Sequence, residues 1–133
     1  MNEGWQDDDY LILLTEGEST DAMAAYGFDQ YMPGCTLVGL RGWDDFIVIG
    51  QSGDMFTVPT VPLNASKASP FLLPPKMSLA ADNRFTGKIK WYLNPLVFGG
   101  DPSEEANVAW VTHEQHAQLV RWWNEQYKKA SSQ

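Results

Sequence analysis

His113, His116, Cys35 and the carboxylate pairs are the side chains of this 133-residue chain whose types invite chemistry. Histidines three apart are neighbours on a helix face and could share a metal ion. Zinc needs further Cys, His or acidic ligands, and no cysteine or third histidine stands near. His116 also falls on an apolar helical stripe, which predicts a packed ring, while His113 in the first helical turn is expected in solvent. Cys35 follows Pro33-Gly34 at the start of a strand. As a nucleophile it would need a base and an orienting group; as a small apolar residue it fits the core, where free cysteines usually lie. The carboxylate pairs are Asp7–Asp9 and Asp44–Asp45. Glycoside hydrolysis needs two acids facing across a cleft, whereas sequence neighbours on a strand point to opposite faces. Gly99-Gly100 has neither the spacing nor the lysine of a phosphate loop. These residues predict no catalytic site, no metal and no cofactor.

What remains is aromatic and acidic. Trp43 sits in a turn and is followed by Asp44 and Asp45. A tryptophan at a turn tip with flanking charge has the character of an interface anchor. The alternative is that it folds back over the sheet, since tryptophan is buried on average. Trp43, Asp44, Asp45 and Asp54, on two turns of one sheet, are the expected partner contacts, with Glu16 and Glu18 as second choices. Trp122 lies more than a quarter-turn off the core-facing stripe of its helix and is expected at its edge or exposed, as a possible face for a dimer or partner.

The charge supports a protein partner. The net charge is -8. Residues 1–60 carry eleven acidic side chains and a single basic one, Arg41, while residues 61–133 carry six acidic and eight basic. An acidic field repels nucleic acid and attracts a basic protein.

The stretch from Tyr31 to Leu63 must hold these turns. Pro33-Gly34 turns the chain into strands predicted at Thr36–Arg41, Asp45–Ile49 and Met55–Val58. Gly42-Trp43-Asp44 and Gln51-Ser52-Gly53-Asp54 provide the turn chemistry between them. Phe46-Ile47-Val48-Ile49 is apolar at both parities, so the middle strand is expected to be covered on both faces. Pro59 and Pro62 end the third strand.

Upstream, Asp7-Asp8-Asp9 ahead of Tyr10-Leu-Ile-Leu-Leu favours a helix start, although a buried strand fits the five residues almost as well. Glu16-Gly17-Glu18 ends that run. Ser19 or Thr20 could cap a short helix through Ala22–Tyr26, with Gly27 as its stop. Downstream, Pro70, Pro74 and Pro75 forbid a long helix over 64–87, and Phe71-Leu72-Leu73 is expected to fill an apolar gap. Lys88–Leu93 and Asn107–Thr112 read as further strands. Thr112 and Gln115 form a capping box with Val111 in the staple position. His116, Leu119, Val120, Trp123 and Tyr127 then mark an amphipathic C-terminal helix over about 113–128, with 130–133 frayed. The fold class is α+β: a mostly antiparallel sheet with a central meander over about 36–58, flanked by helices, in one domain spanning 1–133.

A single cysteine allows no internal disulfide. The sequence MNEGWQDDD has neither the basic nor the apolar region of a signal peptide, and no apolar run could span a bilayer. A cytoplasmic protein without nucleic-acid or membrane partners is the expectation.

The order of elements resembles the SUKH superfamily, the Smi/Knr-like domains of yeast cell-wall regulators and many bacterial immunity proteins. Tyr10-Leu11-Ile12-Leu13-Leu14 stands where that family has a helix with a Tyr-Leu-x-x-Leu-Leu core. Glu16-Gly17-Glu18 stands for its acidic Gly-rich turn, and Tyr31-Met32-Pro33-Gly34 for its Tyr-x-Pro-Gly lead-in to a strand. The strands over 36–49 follow, and then Val58-Pro59 leads to Val61-Pro62-Leu63. The likeness covers roughly 8–63. The first sheet turn departs from it: Arg41-Gly42-Trp43-Asp44 replaces a Ser-Asp-Gly-Gly-Gly type. The resemblance implies an α+β domain that binds a partner, often a toxin, without catalysis. With the acidic charge, the expectation is an immunity protein whose partner is a basic toxin domain. A regulatory or scaffolding module, monomeric or homodimeric, that binds a host protein or peptide is the alternative.

Overall fold

Asp7 and Asp8 make a tight turn, with Asp7 in the left-handed region at φ 54°, a conformation that aspartate tolerates better than most residues. The turn joins β1 (Asn2–Gln6) to β2 (Asp9–Leu13) as an antiparallel hairpin in which Trp5 faces Tyr10. In the computed structural model, which describes residues 1–73 and 78–131, the favoured helix at Tyr10–Leu14 is therefore wrong and the strand reading is right. The aspartates shape a hairpin turn and cap no helix. The reason is burial: Tyr10, Leu11 and Ile12 are each 1% exposed. Consecutive buried residues suit a strand covered on both faces, not a one-faced helix.

Thr15 then caps α1 (Glu16–Tyr26), with Glu18 closing the capping box and Gly27 in the left-handed C-cap conformation at φ 77°. The helix thus starts at Glu16, where the sequence reading placed a stop, and neither Ser19 nor Thr20 is its cap. Ser19 lies inside it and donates to the Leu37 carbonyl at 2.6 Å. A short α2 (Phe28–Tyr31) leads through Pro33-Gly34 into the meander β3 (Thr36–Arg41), β4 (Asp45–Ile49) and β5 (Met55–Pro59). The meander matches expectation to within one residue. A two-residue β6 (Ser69–Pro70) completes a six-stranded antiparallel sheet in the order β1-β2-β3-β4-β5-β6.

Phe46, Ile47 and Val48 are fully buried, as a central strand requires. On one face Phe46, Val48, Leu40, Ile12 and Val58 pack with Tyr26, Phe28, Trp91 and Val120 in the main core. The other face carries Leu11 and Ile47, in the rows Leu11–Arg41–Asp45 and Leu13–Gly39–Ile47. Here the Arg41 guanidinium lies over the Phe71 ring at 5.1 Å. Leu72 is 83% exposed, so it fills no gap. Pro74 and Pro75 lie outside the described residues. The chain rejoins the sheet at its opposite edge, where Ala80 and Trp5 exchange backbone hydrogen bonds of 2.8 and 2.9 Å.

β7 (Ile89–Tyr92) and β8 (Val108–Val111) form a separate two-stranded antiparallel sheet. α3 (His113–Ser131) packs beside α1, and its Thr112–Gln115 capping box has bonds of 3.0 and 3.1 Å. The helix runs past 128 through Ser131; 132–133 lie outside the described residues. Its buried face is centred on His116, Ala117, Val120 and Asn124, which leaves Leu119, Trp123 and Tyr127 half-buried at its edge. No helix of the described residues is long and apolar enough to cross a membrane.

Candidate functional site

Trp43 folds back against the sheet. Its indole stacks on Tyr10, with ring centroids 4.8 Å apart and planes at 17°. Edge contacts to Trp5 at 6.2 Å, Phe85 at 5.3 Å and Trp110 at 5.2 Å complete a five-ring cluster. Trp43 is half-buried, with φ 65°, and its buried Nε1 has no hydrogen-bond partner. The exposed ring of this cluster is Trp110, 41% accessible and stacked on Phe85 at 4.9 Å. Sequence reasoning missed Trp110 because a tryptophan inside a strand pattern carries no mark of exposure.

Asp44 and Asp45 stand beside this cluster as half-buried carboxylates on a cavity of about 320 Å³. Its other walls come from the end of β5 and the chain after it (Pro59, Thr60, Val61), from Trp91 and Tyr92 of β7, and from Pro95, Leu96 and Val97. The Thr60 N–H donates to the Asp44 carbonyl at 2.9 Å and fixes the first wall. Asn107 fixes the last. It accepts from the Asn94 N–H at 2.8 Å and donates to the carbonyls of Asn94 and Asp101 at 3.1 and 3.3 Å. Gly100 is required in that loop, because a Cβ there would lie 1.8 Å from the Asn94 oxygen. Loss of solvent pushes the Asp44 carboxyl up to about 6 despite the opposing Lys90 charge, with Asp45 adding to the rise. Asp45 is raised by the same desolvation, against Arg41.

The other expected contacts do not join this site. Asp54 is exposed on the β4–β5 turn, at the far end of a strand about 17 Å long at the usual rise per residue. Glu16 is exposed on the first turn of α1. Glu18 belongs to the capping box, accepts the Met1 ammonium at 2.7 Å and is held down to about 2 by that contact and the Thr15 N–H. It borders a second, apolar groove of about 500 Å³ between α1 and α3, floored by Leu14, Leu37, Leu40 and Ala117. Trp122 is 55% exposed and meets Trp123 edge-on at 4.8 Å.

His116 is fully buried, and its Nδ1 shares a 2.6 Å hydrogen bond with the Tyr26 hydroxyl. Burial drives its pKa down to about 3 and raises that of Tyr26. The phenol therefore donates and Nδ1 accepts, leaving the proton on Nε2; the imidazole meets the Trp91 ring edge-on, with centroids 5.5 Å apart. His113 is half-buried, not solvent-exposed as expected, and desolvation lowers its pKa too. Cys35 is half-buried against the core. Among the described residues no three His, Cys, Asp or Glu side chains are grouped to hold a metal ion.

No family model, curated protein or solved structure matches this chain.

Proposed function

We propose that this chain is a non-catalytic protein-binding domain, an immunity protein of SUKH-like type that neutralises a cognate toxin by docking on it. The observation that carries the reading is the Asp44–Asp45 cavity: two half-buried acidic residues in a largely apolar wall, directly after Trp43, whose ring meets the exposed Trp110. Burying unpaired charge is costly, and a basic partner would relieve that cost on binding. The net charge of -8 favours fast encounter with such a partner. The Tyr31-Met32-Pro33-Gly34 lead-in and the strands behind it support the SUKH-like reading; the strand β2 (Asp9–Leu13), where that family has a helix, weighs against it. Co-expression with the product of the neighbouring reading frame tests the proposal. Growth should be rescued by this chain and not by its Asp44→Lys, Asp45→Lys variant. Failure of the unaltered chain to rescue, or to co-purify with that product, sinks the immunity reading.

The exposed Trp122 favours a second reading, a regulatory or scaffolding module that pairs through α3. Light scattering that finds a dimer, converted to monomer by Trp122→Ala, would select it.

A further inference from the structure

We propose that the Asp44–Asp45 cavity is the seat of one arginine side chain presented by the protein partner. This inference rests on the binding reading above and names the chemistry of the contact. The cavity, at about 320 Å³, has room for a single long side chain and is too small for a folded element. Its walls suit such a group. Pro59, Val61 and Leu96 offer apolar surface to an aliphatic stem, which long cationic side chains bury readily. Asp44 and Asp45 both border the cavity and supply the negative charge that the cationic end would meet.

This chain does not fill the place itself. Among the described residues neither Asp44 nor Asp45 forms an ion pair or a side-chain hydrogen bond. The neighbouring cations act on the two carboxylates through their fields but make their close contacts elsewhere: Arg41 with Asp9 at 3.2 Å and over Phe71, and Lys90 over the Tyr92 ring at 5.2 Å. A planar guanidinium is more weakly hydrated than an ammonium and offers a fork of donors to a carboxylate, so arginine fits this half-dry pocket better than lysine. Leu93, Leu96 and Val97, between 44% and 55% exposed, form an apolar collar at the same loop. That collar fits an arginine flanked by apolar residues on the partner's surface.

The test is a nuclear magnetic resonance titration of the isotope-labelled full chain with N-acetyl-arginine methylamide. Its neutral isostere, the citrulline derivative, and the lysine derivative serve as comparison probes. The expected result is saturable movement of the Asp45, Thr60 and Val61 amide signals in the millimolar range with the arginine probe. Citrulline should give none, and lysine should bind more weakly. Asp44→Asn with Asp45→Asn should weaken the arginine probe at least about tenfold, the factor expected for one charge-assisted contact. A spectrum otherwise unchanged would show that this variant is folded. Absence of saturable shifts, equal response to citrulline, lysine binding as tightly as arginine, or shifts confined to other residues would each overturn the proposal. The growth-rescue result is independent. Rescue without probe binding removes this pocket and keeps the function; probe binding without rescue does the reverse.

Discussion

At the turn, Trp43 holds a backbone conformation that bulky residues avoid, at φ 65° directly after Gly42 at φ 57°. The surrounding rings enforce it, so two effects separate on substitution. Trp43→Ala removes the ring contacts but keeps the strained backbone, and should cost about 2 kcal/mol in urea unfolding, less than for a fully buried ring. Trp43→Gly loses the same contacts and relieves the strain, so it should be about 1 kcal/mol more stable than the alanine variant. A glycine variant below alanine would refute the strain. Two titrating groups oppose one another in their effect on stability. His116, lowered from 6.5 to about 3, contributes stability that is complete above pH 6.5 and lost as pH falls. Asp44, raised from 3.8 to about 6, contributes stability that is complete below pH 3.8 and lost as pH rises. Between about pH 4 and 6 their slopes cancel. Asp44→Asn should therefore expose a loss of about 1.4 kcal/mol for each unit of acidification in that window. An unchanged pH profile in chemical unfolding would refute this pairing.

Among the elements, α3 is joined to the end of the meander by one side chain. Asn124 accepts from the Leu63 N–H at 2.7 Å and donates to the Thr60 and Val120 carbonyls at 2.8 Å each. Asn124→Leu would strand the buried Leu63 donor and Thr60 acceptor, and should cost about 2–3 kcal/mol in urea unfolding; a near-neutral result would mean that water replaces the amide. Asn124 was not readable from the helical stripe, because an apolar pattern does not mark a polar residue whose partners are distant backbone groups. The capping box at Thr112 was readable, since all its partners lie within one turn. Thr15-Glu16-Gly17-Glu18 carries the same box. The sequence reading takes Glu16-Gly17-Glu18 as a stop and does not recognise that box, because a glycine between two acids reads as a turn. The hairpin of β1 was hidden because its aspartates suit a helix start as well as a turn.

Across the whole molecule, the excess negative charge acts at a distance where side-chain packing does not. Association with a basic partner should slow roughly tenfold between low and high ionic strength, while dissociation changes less; a salt-independent association rate in stopped-flow mixing would refute electrostatic steering. By itself the sequence determined the α+β class, the three meander strands, the C-terminal helix with its cap, and the acidic balance. Each is set by short-range spacing or by a count of charges. The tertiary structure alone decided that Asp9–Leu13 is a strand, because only burial on both faces separates it from a helix. It also decided that Trp43 turns inward onto Tyr10 while Trp110 remains exposed. And it separated Asp54 from Asp44 and Asp45 while bringing Leu96 and Val97 beside them, since contacts between distant segments are fixed by sheet order and packing and leave no local trace in the chain.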